Sequence, residues 1–161
     1  MTDPWLARLN EHPFAAGLTE RQLDRIAAIA TPAALATGQR LFEEGGQAGA
    51  LWLIMSGRIA IDLAVPGHSP VIIETVGAGE VLGLSWLTPA ARWQFGASAQ
   101  LPATTFRLAS AELVQLCQAD HELGYLLTRR LLGTAISRLQ AARIRILDIY
   151  ATPARDRSGV P

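Results

Sequence analysis

The residue types best suited to chemistry lie in the stretch from Val76 to Ala99, where a glycine-rich turn is followed by an arginine. Gly83 has no Cβ, so an anion can approach the neighbouring peptide groups closely. The residues after it predict a short helical turn, whose first amides are unpaired and carry partial positive charge. Arg92 follows in the same stretch. This pattern predicts a turn that binds an oxyanion; a buried hairpin connection with an incidental arginine is the alternative.

Metal and nucleophile chemistry find little support in the rest of the chain. His12, His68 and His121 are far apart, and none is paired at the spacing of metal ligands. Cys117 lies among apolar residues, which indicates a core side chain, and Ser85 has no histidine near it in the sequence. We therefore predict no catalytic residue, no metal site and no enzyme activity. For His12 and His121 we expect surface or capping roles.

The composition is that of a globular chain without the excess of positive charge that binds nucleic acids or anionic membranes. Of the 161 residues 50% are hydrophobic and 17% charged, and the formal net charge is zero, which gives no sign of a nucleic acid or an anionic membrane as partner. All 14 basic residues are arginine, so lysine chemistry is excluded, and the single cysteine excludes an intrachain disulfide. No secretion signal and no apolar run of about 20 residues is visible. We therefore predict a cytoplasmic protein with no membrane partner.

The elements that must position the glycine-rich turn follow the order helix, strands, helices. Thr19 and Gln22 match a capping box and predict a helix that ends at Thr31-Pro32. From about residue 33 to 108, short apolar runs alternate with glycines, as in a barrel, roll or sandwich. The strands are expected at 51–55 and 58–63 around a tight Ser56-Gly57 turn, then at 71–75, 97–101 and 104–108.

Two further helices are predicted after the strands. Ser110 is expected to cap a short helix through Cys117, and Asp120 a long one over about 120–150, roughly 45 Å in length. The apolar face of the long helix is wider than a small roll can cover, which favours pairing with a second copy over folding back on its own domain. Residues 151–161 contain two prolines and mixed charge, which predicts a disordered tail.

This order of elements resembles the cyclic nucleotide-binding domain of the catabolite activator and FNR type, over about residues 13–150. The resemblance is carried by HPFAAGLTERQLDRIA, by GQRLFEEGGQAGALWLIMSGRIAI and by GAGEVLGLSWL, which stands where that family has its phosphate-binding cassette; RRL and ILDIY fall in its dimerising C-helix. It implies an α+β fold, with an antiparallel, jelly-roll-like β-roll flanked by N-terminal helices and a long C-terminal helix. Residues 1–150 would form that one domain.

The resemblance also implies a set of ligand-binding residues. In the family, cassette amides and an arginine hold a cyclic phosphate, a glutamate accepts from the ribose hydroxyl, and the C-helix covers the base. Gly83 matches the cassette glycine, Leu84 stands where the glutamate is expected, and the arginine position falls near Trp93 or Gln94, beside Arg92. The implied set is Val81, Leu82, Gly83, Leu84, Ser85, Trp86, Arg92, Trp93 and Gln94, with Ser137 and Arg138 from the C-helix.

The implied function is a non-enzymatic regulatory domain that senses a cyclic mononucleotide, cAMP or cGMP, or a related small anion, and signals through its C-helix. A homodimer joined by the C-helix and a regulatory protein partner are implied with it, and no other cofactor. Activators of this family carry a helix-turn-helix domain after the C-helix, whereas only residues 151–161 follow here, so we expect a stand-alone member without direct DNA binding. The alternative is a protein–protein interaction module that kept the roll but lost nucleotide binding, with Trp52, Trp86 and Trp93 filling the old pocket or lining a docking patch.

Overall fold

A computed structural model describes residues 4–151, in which an antiparallel β-roll lies between N-terminal and C-terminal helices, and the predicted α+β fold is confirmed. The predicted tail at 151–161 lies outside the described residues, except for Ala151, which ends the last helix. The elements are α1 Pro4–Glu11, a first 3-10 turn Pro13–Ala15, α2 Glu20–Ile29, β1 Ala30–Leu35, β2 Arg40–Phe42, β3 Ala50–Leu63, β4 Val71–Gly77, β5 Val81–Leu82, a second 3-10 turn Ser85–Leu87, β6 Gly96–Ala109, α3 Ser110–Ala119 and α4 His121–Ala151.

Two long strands, β3 and β6, form the centre of the sheet. They pair antiparallel from Ala50 opposite Ala109 to Asp62 opposite Gly96, and the strand order is β1-β6-β3-β4. The two short strands attach to this centre, β2 to β6 and β5 to β3. Because β5 pairs with the buried first half of β3, the glycine-rich turn that follows β5 is held on the roll.

The prediction of separate strands around a tight Ser56-Gly57 turn is wrong. Gly57 has a φ of +85°, but the chain continues in the same direction, because both halves of β3 pair with β6. A Cβ at Gly57 would lie 2.1 Å from the Pro102 carbonyl oxygen, and the pairing register shifts on both sides of this position. The glycine therefore marks a bulge that bends the strand. The strands expected at 97–101 and 104–108 are likewise one strand, β6, because both stretches pair with β3.

Two of the predicted helix starts are confirmed. The Thr19 hydroxyl accepts from the Gln22 amide at 3.3 Å, and the Gln22 side chain accepts from the Thr19 amide at 3.1 Å, which is the reciprocal capping box. The carboxylate of Asp120 accepts from the Leu123 amide at 2.9 Å. Asp120 also contacts α2, through Gln22 and Arg25, so this cap joins the start of α4 to the N-terminal helices.

Two other boundaries differ from the prediction. α2 ends before Thr31-Pro32, because Ala30 is already extended and pairs with Leu108 in the sheet. Ser110 does not cap α3; it is the first helical residue, and its amide donates to the Gly49 carbonyl at 3.0 Å. In both cases tertiary pairing decides where the helix begins or ends.

The core consists of two clusters of buried side chains. One lies between the helices and the roll and includes Leu9, Ile26, Phe106 and Leu113; the other fills the roll and includes Trp52, Ile54, Ile59 and Trp93. The first cluster anchors the beginning of α4 through Leu123, Leu127 and Leu131, and no later α4 residue is buried in the described part of the chain. Within residues 4–151, no helix combines the length and apolarity that a bilayer crossing requires.

Candidate ligand-binding site

The Gly83 segment, defined here as residues 82–85, extends from the last residue of β5 to the first residue of the second 3-10 turn. Gly83 has a φ of +93°, and a Cβ on it would lie 2.7 Å from the Ala50 carbonyl oxygen and 3.1 Å from the Trp93 ring. The turn is closed by the Leu87 amide, which donates to the Leu84 carbonyl at 3.0 Å. Gly83 and Leu84 fall between β5 and this turn, so their amides belong to neither hydrogen-bonded element. Neither amide donates to a backbone carbonyl of the described residues, and an unpaired amide of this kind can receive an anion.

An aromatic cluster supports the Gly83 segment from inside the roll. Trp93 stacks on Phe42 with ring centroids 3.9 Å apart, and Trp52 lies 5.3 Å from Phe42 and 5.7 Å from Trp93. Trp52 and Trp93 are buried and Trp86 is half-buried. These three tryptophans therefore do not form the exposed docking patch that the interaction-module alternative allowed.

A cavity of about 690 Å³ separates the roll from the second half of α4, within the size range of small-molecule sites. We call it the roll–helix cavity. The Gly83 segment contributes all four of its residues to the lining on the roll side, together with Trp93 and Gln94. The α4 side consists of Arg138, Leu139, Ala142, Arg145, Ile146 and Ile149. The Trp93 indole is thus a wall of this cavity and does not fill it.

Arg138 connects α4 to the roll at the edge of the cavity. Its guanidinium donates to the Val81 carbonyl of β5, and its Nε lies 3.5 Å from a Glu74 carboxylate oxygen on β4. That Nε is buried and has no hydrogen-bond acceptor among the described residues. Arg138 therefore holds the second half of α4 close to both strands.

The charges on the roll–helix cavity do not balance. Of its described lining residues Glu74 is the one acid, and it faces Arg138. Arg145 also lines the cavity, two helical turns further along α4, and none of the ion pairs found within residues 4–151 includes it. The lining thus carries one surplus positive charge, on Arg145.

The structure brings most of the predicted binding residues together. Leu82, Gly83, Leu84, Ser85, Trp93, Gln94 and Arg138 all line the roll–helix cavity. Val81 takes part through its carbonyl, which binds Arg138. Trp86 packs between the two core clusters, and its buried indole nitrogen has no hydrogen-bond partner in the described chain. Whether any of these residues binds a ligand stays a prediction.

Two predicted residues lie elsewhere. Arg92 is exposed and does not line the cavity, and its guanidinium donates to the Gly45 carbonyl at 2.9 Å. Ser137 lines a second cavity of about 380 Å³ between α4 and the first 3-10 turn. The expectation that Arg92 opposes an anion at Gly83 therefore lacks the required geometry, because neighbouring side chains on extended backbone point to opposite sides.

Sequence reasoning missed Glu74, the α4 residues from Leu139 onward and four roll-side lining residues, Phe42, Ile61, Ile73 and Phe95. A signal for the α4 residues was present in the helical spacing. Leu123, Leu127 and Leu131 are buried against the roll, and steps of three or four residues continue the same face to Arg138, Ala142, Arg145 and Ile149. Glu74 gave no comparable signal, because its position depends on how β4 folds beside β3.

The histidines and the cysteine do not form a reactive site. The expected capping role of His12 is confirmed, since its Nδ1 accepts from the Phe14 amide at 3.1 Å, but a surface position is wrong because the residue is 3% exposed. Burial lowers the pKa of His12. The pKa of the Cys117 thiol is raised, first by burial and then by Asp120. Over residues 4–151, no cluster of three or more His, Cys, Asp or Glu side chains could hold a metal ion.

Comparison with known proteins identifies the class to which this roll and cavity belong. The sequence profile of the cyclic nucleotide-binding domain matches residues 33–120, more than half of the chain. The chain therefore belongs to the cyclic nucleotide-binding domain family, and the resemblance found in the sequence is confirmed. A comparison with curated protein sequences gave no match.

Solved structures share the same fold. A candidate cyclic nucleotide-binding protein from Geobacter metallireducens GS-15 is 27% identical with a TM-score of 0.72, covering 86% of this chain and 99% of its own. A cyclic nucleotide-binding domain from Methylobacillus flagellatus KT is 23% identical with a TM-score of 0.75, covering 89% and 80%. The sensor domain of the transcriptional regulator DNR from Pseudomonas aeruginosa is 20% identical with a TM-score of 0.68, covering 84% and 91%. The chain thus has the β-roll fold of regulatory cyclic nucleotide-binding domains.

Proposed function

We propose that residues 1–150 form a non-enzymatic regulatory domain that binds a cyclic mononucleotide or a related small anion in the roll–helix cavity and signals through α4. One observation carries this proposal: the Gly83 segment and the second half of α4 line the same cavity. A ligand there contacts the roll and the helix together. If its contacts differ between two positions of α4, binding shifts the population between them.

The anion-binding groups support this reading. The Gly83 segment lies on one wall of the cavity, and Arg145, which carries the surplus positive charge, lies on the other. A cyclic phosphodiester carries one negative charge, which matches the one surplus positive charge of the lining. Arg145 is exposed, so a hydrogen bond to it contributes about 1.5–3 kcal/mol only where the bound ligand shields it from water.

The cavity offers few hydrogen-bond acceptors for the ribose of a nucleotide. Leu84 offers no acceptor at the position where the family has a glutamate, and the Glu74 carboxylate is already paired with Arg138. The lost hydrogen bond corresponds to roughly tenfold to a hundredfold in affinity. We therefore expect cAMP and cGMP to bind saturably but weakly.

The test is isothermal titration with cAMP and cGMP, using a variant that fills the cavity. Ala142 lines the cavity, whereas its neighbour Ala141 is exposed outside the lining, so Ala142→Phe and Ala141→Phe form a matched pair. We expect Ala142→Phe to abolish nucleotide binding and Ala141→Phe to retain it. Binding that survives Ala142→Phe would place the ligand elsewhere, and flat traces with both nucleotides would contradict the cyclic-nucleotide form of the proposal.

A protein–protein interaction module is the second candidate. The observation in its favour is the exposed apolar face of α4, on which Leu132 is 56% and Ile136 47% exposed. Such side chains mark a surface that a partner covers. In the sensor reading the same face joins two copies into a homodimer, and a regulatory protein partner contacts α4.

The proposal includes a cytoplasmic location and no direct DNA contact. The single cysteine, Cys117, is a half-buried free thiol, in keeping with a reducing compartment. The formal net charge of zero offers no electrostatic attraction to a phosphate backbone.

A further inference from the structure

We propose that the preferred ligand of the roll–helix cavity is an aromatic acid, a flat apolar ring system with a single carboxylate or sulfonate group, and that Arg145 binds its charge. This inference rests on the proposed function, since it takes the same cavity as the ligand site and specifies the class of small anion. Cyclic mononucleotides would then be weaker ligands of that cavity.

The roll side of the cavity is largely aromatic and aliphatic. The stacked rings of Phe42 and Trp93 form part of its wall, and Phe95, which is 41% exposed, lies at its edge. Ile61 and Ile73 complete this side. A planar ring system gains from such a wall both by burial of apolar area and by stacking or edge-to-face contacts with the aromatic rings.

The same wall is poorly suited to a sugar. Ser85 and Gln94 are the uncharged polar side chains among the described lining residues, and Leu84 replaces the acceptor that a ribose hydroxyl needs. A hydroxyl that leaves water without a new hydrogen bond costs free energy, whereas an aromatic ring leaves water at no such cost. The lining therefore discriminates in favour of the ligand with fewer polar groups.

The charges indicate how the acidic group is oriented. Arg138 is held by Glu74 and by the Val81 carbonyl, whereas Arg145 has no ion-pair partner among the described residues. Arg145 lies seven positions after Arg138, which corresponds to roughly 10 Å along the helix axis, and Leu139 and Ala142 line the interval. A ring lying over this interval would place its acidic group at Arg145, where a planar guanidinium can bind a carboxylate through two hydrogen bonds.

The experiment compares three probes by isothermal titration of the full chain: 2-naphthoate, its neutral analogue 2-naphthamide, and cAMP. We expect 2-naphthoate to bind saturably and at least about tenfold more tightly than either of the others, the margin of one charge-assisted hydrogen bond. Arg145→Gln should remove most of that margin. Arg143→Gln, on an exposed neighbour outside the lining, is the matched control and should leave binding unchanged.

The outcomes separate this inference from the proposed function. Loss of 2-naphthoate binding in Ala142→Phe, with retention in Ala141→Phe, would support the cavity as its site. Equal or tighter binding of cAMP would overturn the aromatic-acid inference and leave the proposed function standing. Equal binding of 2-naphthoate and 2-naphthamide would overturn the role of Arg145. Failure of all three probes to bind would overturn the aromatic-acid inference and the cyclic-nucleotide form of the proposed function.

Discussion

Gly83 shows at the scale of a single residue how packing and ligand access can require the same amino acid. The sequence suggested that the glycine lets an anion approach the backbone. In the structure its left-handed φ and the closeness of the Ala50 carbonyl and the Trp93 ring already exclude a side chain. The residue is therefore needed to form the cavity wall, whatever ligand the cavity takes.

We expect Gly83→Ala to destabilise the fold by about 1–3 kcal/mol, because a Cβ is strained at positive φ and contacts atoms that cannot move easily. Urea unfolding monitored by tryptophan fluorescence measures this change. Gly49→Ala is the matched control, since a Cβ there meets nothing within 4 Å, and its effect should stay within about 0.5 kcal/mol. Equal stability of the two variants would contradict the packing role of Gly83.

His12 makes a second residue-scale prediction, on pH. Burial lowers its pKa from 6.5, an effect partly opposed by the backbone of Glu80 and Ile54. The His12 imidazole therefore has a lower pKa in the folded chain than in the unfolded chain. When the pH falls below 6.5, the unfolded chain binds more protons than the folded chain, and the free energy of unfolding decreases. This loss continues until the pH reaches the lower pKa of the folded chain. Stability should thus be highest above 6.5 and should decrease as the pH falls through this window.

The measurement is the urea unfolding midpoint between about pH 5 and pH 8. His12→Asn keeps an acceptor for the Phe14 amide but removes the titrating ring, so its midpoint should lose the part of the pH dependence due to His12. His68→Asn, at an exposed position, should behave like the unsubstituted chain. The window lies above the range of Asp120, whose pKa is lowered from 3.8 first by the Leu123 amide. An unchanged pH profile in His12→Asn would contradict the assignment.

The arginines show what sequence could and could not predict about the site. Arg92 was close to Gly83 in sequence, but its side chain binds the Gly45 carbonyl. Arg138 was placed correctly on the helix that covers the cavity, whereas Arg145 was not identified. Closeness to Gly83 in the sequence did not indicate which arginine lines the cavity. The three- and four-residue spacing on α4 was a better indication, because residues at this spacing share one face of a helix.

At the scale of elements, α4 has two parts that differ in how they are held. Its first turns are fixed by the buried Leu123, Leu127 and Leu131, and Arg130 donates to the carbonyls of Phe14 and Ala16 in the N-terminal region. Beyond them, the contacts of Arg138 with Val81 and Glu74 hold the helix beside the cavity. In the proposed function, this second part is the one on which a ligand in the cavity would act.

We expect Arg138→Gln to loosen the second part of α4 alone. Loss of the contacts with Val81 and Glu74 should increase amide hydrogen exchange over residues 139–150 by about tenfold, the equivalent of one charge-assisted hydrogen bond. Exchange over residues 121–131 should stay the same, because buried leucines hold that part. Arg143→Gln is the control. Uniform acceleration along the whole helix would refute a local role for Arg138.

The strands show where element prediction succeeded and where it failed. The capping box at Thr19 and the cap at Asp120 were recognisable because each depends on residues three apart in sequence. The continuity of β3 through Gly57 was not, because a glycine can bend a strand as well as reverse it. Whether the strand bends or reverses at Gly57 depends on its contacts with Pro102 and the rest of β6, which lie far along the chain.

At the scale of the whole molecule, more than half of the large hydrophobic side chains that are exposed within residues 4–151 lie on α4. Tyr125, Leu132 and Tyr150 lie outside the lining of the roll–helix cavity, and each is more than half exposed. In a helix that pairs with a second copy, these side chains would be covered by the same side chains of the partner, which places each residue in the interface twice. The roll–helix cavity lies beside the same helix, so pairing and ligand binding would share one element.

We expect the chain to be a dimer and the double variant Leu132→Glu/Ile136→Glu to be a monomer. The two residues are four apart on one helix face, and neither lines the roll–helix cavity. Each buried aliphatic side chain contributes about 1.5–3 kcal/mol, so losing both on each subunit exceeds what a dimer of ordinary affinity can tolerate. Sedimentation velocity at micromolar concentration gives the mass directly.

The matched control places the same two charges on another apolar surface. Val71 and Ile72 on β4 are 51% and 52% exposed, and Val71→Glu/Ile72→Glu should leave the mass of the dimer unchanged. A monomeric unsubstituted chain would refute pairing through α4. A charge on a surface that remains in water costs little free energy, whereas a charge buried in an interface prevents association. If the β4 variant were a monomer and the α4 variant still a dimer, the interface would therefore lie at the edge of the sheet.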